Sequence, residues 1–185
     1  MDDSDFRKKL GEMLSRTEKS IKLLREQIIQ NQSAPFLADL YLQLADLLAE
    51  KANVLYYQKI EKEKDSNVKL NANEKFNPIV IADQEAIAIY QQILKEFPNF
   101  NKRDKTLYRM AVAQKAIDDS APFVVTSENL IKEFPKTKEA MQVRLLLGQF
   151  YMDQQDLKSA KTAFTPVSES PFPFIEIPLE TGSET

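Results

Sequence analysis

The chain reads as an all-α solenoid of antiparallel helix pairs with an extra amphipathic helix in front, and three observations carry that reading. Between Ala140 and Pro173, Leu147-Gly148 is followed three residues later by Tyr151, and Ala160 is followed four residues later by Phe164. A small residue lets two helix backbones approach closely, and a ring one turn away fills the space beside it. The tetrapeptide Lys95-Glu96-Phe97-Pro98 recurs verbatim as Lys132-Glu133-Phe134-Pro135, 37 residues further on. A proline there stops one helix and sets the turn into the next, so its recurrence has a mechanical cause and a period near that of helix-pair repeats. Elsewhere apolar residues step by three and four, and only three glycines interrupt the 185 residues.

From the N-terminus, Phe6, Leu10, Met13, Thr17, Ile21, Leu24 and Ile28 form one stripe, with Asn31-Gln32-Ser33 ending the helix. So narrow a stripe suits a coiled-coil seam or packing on the next helix; with some three heptads, packing is expected. Pro35 is expected in the first turn of a long second helix ending near Lys62, whose Leu44-Ala45 and Leu48 copy the Leu147-Gly148 and Tyr151 spacing. Asn-rich residues 66–81 read as an inserted loop, with Phe76, Ile79 and Val80 touching down on the body. Ala86, Tyr90 and Ile93 then repeat the steps of Ala160, Phe164 and Val167.

Arg103 to Ile117 supplies the next helix, and Asp118-Asp119-Ser120 a turn with Ser120 as N-cap and Pro122 in the first helical turn. In the helix that follows, Phe123 and Ser127 stand where the other copies place alanine and an aromatic ring, so this copy reads as degenerate. Thr165-Pro166 is expected to end or kink the last helix early. The resulting units are a helix at 4–30, a first pair at 34–98 containing the loop 66–81, a degenerate pair at 103–135, the best-formed pair at 137–170, and an apolar, proline-rich tail at 171–185. No helix reads as a polar cap over the last pair. Either the tail folds back onto it or the chain belongs to a longer array.

Composition removes several function classes. Apolar residues make up 43% and charged residues 29%, as in a folded soluble protein. The net charge of −3 is spread over interleaved acids and bases, with no basic field to neutralise a row of phosphates, which argues against nucleic acid. There is no histidine and no cysteine, which removes thiolate nucleophiles, disulfides, Ser-His relays and most metal sites. No glycine-rich phosphate loop exists, and Lys158 and Ser159 are adjacent on a helix and face apart. Asp118 and Asp119 are explained by turn chemistry. No enzyme, cofactor or metal is therefore expected. No apolar run reaches membrane-spanning length, and the acidic start does not read as a signal peptide.

The spacing Leu147-Gly148…Tyr151…Ala160…Phe164 resembles the tetratricopeptide repeat, although Arg144 stands where that family prefers tryptophan. The wording AIAIYQQILKEFPNF, RDKTLYRMA and VRLLLGQFYMDQQDLKSAKTAF is similar to bacterial envelope versions of the repeat. Among these are the outer-membrane assembly lipoproteins and, closer still, the large deltaproteobacterial repeat proteins linked to gliding motility. The resemblance implies a periplasmic or outer-membrane-associated scaffold.

Stacked helix pairs make a concave groove lined by the first helix of each pair. Asp39, Leu42 and Asp46, then Lys105, Tyr108 and Val112, then Gln149 and Met152 are the residues expected to face it; each reads equally well as ordinary surface. They lack the clustered Lys and Asn that would clamp a terminal carboxylate. They suit a protein or peptide partner presenting a helix or an extended apolar segment. Phe172, Phe174, Ile175 and Ile177 in the tail offer a second contact surface, and through it or the N-terminal helix the module would self-associate.

Overall fold

The computed structural model describes residues 3–65 and 77–168, and among them every regular element is an α-helix. Seven follow one another: α1 (Asp3–Gln30), α2 (Leu37–Asp65), α3 (Pro78–Glu96), α4 (Arg103–Ala116), α5 (Ser120–Glu133), α6 (Lys138–Asp153) and α7 (Leu157–Ser168). Each packs on its neighbour in sequence. In addition α4 touches both α2 and α6, so α2, α4 and α6 form an inner row backed by α3, α5 and α7. This is a tetratricopeptide-repeat-like α-solenoid.

α1 lies antiparallel along α2. Leu10, Thr17, Ile21, Leu24 and Ile28 are buried, while Met13 is 39% exposed. Polar cross-links fix the direction: Arg7 reaches Glu61, Thr17 Oγ1 donates to Glu50 Oε1 at 3.3 Å, and Lys51 Nζ lies 2.9 Å from Glu18. Pro35 sits in the turn before α2, two residues ahead of the helix and not inside its first turn.

α3 begins four residues earlier than the 66–81 loop allowed. Asn77 is its N-cap, its side chain accepting from the Ile79 N–H at 3.1 Å, and Pro78 takes the first helical position. Asn-Pro serves a helix start as readily as a turn, because proline has no N–H for the first turn to lose. Ile79 and Val80 are half-buried; Phe76 and the rest of the loop lie outside the described residues.

The two Lys-Glu-Phe-Pro copies build matching turns. Phe97 (φ −123°, ψ 66°) and Phe134 (φ −132°, ψ 54°) are C-caps whose N–H groups bond to Ile93 O and Leu130 O. The hairpin turns inside the second and third pairs also match. Asp118 (φ 57°) and Gln155 (φ 60°) are left-handed. Asp118 N–H bonds to Lys115 O and Asp119 N–H to Gln114 O; Gln155 N–H bonds to Met152 O and Asp156 N–H to Tyr151 O. These bonds satisfy carbonyls left over at the helix ends. Ser120 is therefore the first residue of α5, and Asp119 is the N-cap, without a side-chain capping bond. The left-handed Asp118 sets the chain's exit, so the cap falls one residue before the serine.

α7 continues through Pro166 to Ser168, the last described residue. Asp156 opens it by accepting from the Ser159 N–H at 3.1 Å; the Ser159 hydroxyl first, and then this N–H, hold its carboxyl below the usual aspartate range. Pro166 comes after the helix has formed two turns, and a proline near a helix end removes a single hydrogen bond.

The core runs through all three pairs. Ala45, Ala86, Ala111 and Ala140 are fully enclosed, and Tyr90, Ile93, Phe123, Leu130 and Val143 fill the space between them. The degenerate pair is a swap of sizes. Phe123 and Ser127 are both fully buried, the Ser127 hydroxyl donates to the Phe123 carbonyl at 2.7 Å, and the Phe123 ring meets Phe150 edge-on at 5.5 Å. The large residue has moved one turn earlier and the small one later, so the space between helices stays filled.

Candidate partner-binding groove

The groove residues expected from the sequence lie on the inner row, on α2, α4 and α6. Asp39 is half-buried, and Lys102 Nζ donates to it at 2.6 Å. Asp46, also half-buried, accepts from the Tyr90 hydroxyl at 3.0 Å and forms an ion pair with Arg109. Leu42 lies between these two aspartates and is a core residue, 5% exposed. Buried in this way, Leu42 presents almost nothing to the groove. Lys105 and Gln149 are exposed, Tyr108 is half-buried, and Val112 and Met152 are 40% and 49% exposed.

Arg109 went unrecognised in the sequence. It is half-buried between two acids, paired with Asp46 on one side and close enough to feel Glu139 on the other. Burial pulls its guanidinium below the ordinary arginine range, and Glu139 opposes that pull. Burial raises the neighbouring Tyr108 hydroxyl, and Glu139 raises it further. Contacts from Tyr90 to Asp46 to Arg109 thus join α3, α2 and α4, with Glu139 of α6 near enough to act on Arg109. Nothing in the local pattern marks Arg109, since Gln43 and Leu146 fill the matching places in the other pairs.

These pairings change the groove's chemistry. Asp39 is already matched by Lys102, the N-cap of α4, and Asp46 by Arg109 within it, so neither is a free anchor for a basic ligand. What faces outward is Val112, Met152 and the half-buried Leu145 and Leu146, with Lys105 exposed on α4. α1 adds a wall absent from the sequence reading. Its Ser20, Leu23 and Gln27 and the Gln43, Leu47 and Glu50 of α2 line an open cleft of about 450 Å³ continuous with Asp46. Leu23 there is 60% exposed.

Asp83 is the other titratable outlier. It is buried on α3, 5% exposed, and burial pushes its carboxyl up from 3.8 to about 6. Its charge and burial together raise the Tyr90 hydroxyl, burial being the larger cause. It faces the core, one helix behind the groove. Among the described residues no group of carboxylates is placed to hold a metal ion. No helix among them is long and apolar enough to cross a membrane. The tail residues Phe172, Phe174, Ile175 and Ile177 lie outside the described residues.

A family model described as the tetratricopeptide repeat matches residues 82–99. The match spans most of α3 and the first Lys-Glu-Phe-Pro turn, including Ala86, Tyr90 and Ile93. It falls on the first pair, whereas the spacing had singled out the third as best formed. No curated protein sequence matches the chain. Tetratricopeptide repeats generally mediate protein–protein interaction and are not generally enzymes.

Proposed function

We propose that this chain is a non-enzymatic scaffold or adaptor that holds a protein or peptide segment against α2, α4 and α6. The observation that carries the reading is the inner row. Exposed Val112 and Met152 sit with half-buried Tyr108 and exposed Lys105, while the carboxylates between α2 and α4 are neutralised within the chain. Such a surface favours an amphipathic helix or an extended apolar segment over a ligand recognised by charge. A flexible methionine reshapes to fit a partner, and a tyrosine supplies contact area at low entropic cost. A setting in a cell-envelope complex, periplasmic or at the outer membrane, rests on the resemblance of the repeat wording to bacterial envelope proteins. Replacing Lys105→Glu together with Tyr108→Ala tests the groove. The pair should release the partner with helical content unchanged, and retention of every partner would remove the groove from consideration.

A further inference from the structure

The last helix pair leaves partly open a position that the inner pairs enclose, and continues it with an exposed leucine. Tyr90 on α3 and Ser127 on α5 occupy corresponding places and are fully enclosed, whereas Phe164 on α7 is only half-buried. Leu157, two turns before Phe164 on the same stripe, is 65% exposed. Lys158 and Lys161 beside that stripe are exposed, and α7 carries no acid.

We propose that the occupant of this stripe is a segment of the chain itself, residues 171–179, running back along α7. Three features argue for it over a second copy or a separate protein. The first is composition: Phe172, Phe174, Ile175, Ile177 and Leu179 are apolar, and Pro171, Pro173 and Pro178 disfavour helix in favour of extended backbone. The second is charge. No lysine or arginine follows Lys161, and Glu169, Glu176 and Glu180 bring negative charge to a face whose exposed ions are lysines. The third is reach. Leu157 to Ser168 spans about 16 Å at helical rise, and nine extended residues cover about 30 Å. Two residues suffice to reverse direction, so the segment spans the stripe with length to spare. A tethered segment of this kind acts at an effective concentration on the order of millimolar, which a second copy at micromolar concentration does not match. The segment would cap the solenoid, keeping the end of α7 from stacking on other molecules.

The absence of cysteine makes the test direct, because one introduced thiol is the only one in the chain. A nitroxide is attached at Thr181→Cys of the full-length, isotope-labelled chain, and amide signals are compared with the reduced, diamagnetic state. Signals of Leu157 to Phe164 should lose more than half their intensity. The loss should vanish when Phe174→Glu and Ile177→Glu are added, and should not appear in a mixture of labelled chain with separately spin-labelled, isotope-free chain. Undiminished α7 signals would overturn the proposal. Loss confined to the mixture would overturn it in favour of a second copy, and loss centred on Val112 and Met152 would overturn it in favour of the groove.

Discussion

A double-mutant cycle between Gly148 and Phe164 probes the packing that organises the third pair. A Cβ added at Gly148 would lie 2.5 Å from Cε1, 2.6 Å from Cζ and 2.8 Å from Cδ1 of Phe164. Carbon atoms pack at about 3.5–4.0 Å, so the ring must move by about 1 Å. Alanine in place of a mid-helix glycine contributes about 1 kcal/mol through backbone entropy, and forcing an extra methyl into a packed site costs about 1–3 kcal/mol. Gly148→Ala should therefore destabilise the chain by about 1 kcal/mol, the balance of those two effects. In a Phe164→Ala background the clash is gone, and the same substitution should stabilise by about 1 kcal/mol. Gly11→Ala is the control. Nothing lies within 4 Å of the added Cβ, so it should stabilise in either background. Urea denaturation followed by helical circular dichroism reads each effect as a change in midpoint at constant slope. If Gly148→Ala has the same sign and size in both backgrounds, the close approach of α6 and α7 through Gly148 is wrong.

Two further perturbations act elsewhere. The Asp83 carboxyl, held at about 6 by burial, stays protonated in the fold at pH values where the unfolded chain has already lost its proton. Stability from this group is full below pH 4, falls as pH rises through 6, and amounts to about 3 kcal/mol lost at neutrality, at about 1.4 kcal/mol per pH decade. Asp83→Asn should recover most of that at pH 7 and add nothing below pH 4; denaturation midpoints across pH 3–8 check both. The Lys105→Glu, Tyr108→Ala pair should weaken partner binding at least tenfold, measured by calorimetric titration; because half-buried Tyr108 packs against the core, the melting temperature should fall by several degrees with the folded chain's helical content unchanged.

The turns show where the residues alone suffice. Lys-Glu-Phe-Pro marks two helix ends because proline at that position permits only one kind of exit, and both copies take it. Core positions were legible for the same reason: the steps Ala86–Tyr90–Ile93 and Leu44–Ala45–Leu48 place small and large residues on one face at helical period. Asn77-Pro78 was ambiguous, because the same dipeptide starts helices and makes turns. Only the context of α2 and α3 decides between them. Asp118 was ambiguous in another way. A left-handed aspartate and an N-capping serine compete for one junction, and the closing bonds to α4 settle which holds.

The groove was less legible than the fold. Helical period places Asp39, Leu42 and Asp46 on one face, yet it says nothing about what the next repeat lays over them. Lys102 and Arg109 come from 63 residues away for both aspartates. Through these pairs α4 and its N-cap convert two apparent ligand contacts into internal braces, and Leu42 between them is core. The wall added by α1 was hidden for a related reason, since its stripe reads as core and its exposed Leu23 falls outside the stripe.

Site-specific photo-cross-linking tests the groove most directly. A photoreactive phenylalanine analogue is placed at Met152, 49% exposed on the inner row, or at Val125, 57% exposed on α5 of the outer row. Each full-length variant is irradiated in its native cell. A groove that holds a partner predicts a discrete cross-linked species from Met152, lost on adding Lys105→Glu and Tyr108→Ala, and none from Val125. The same species from Val125, or one from Met152 that survives the double substitution, would contradict it.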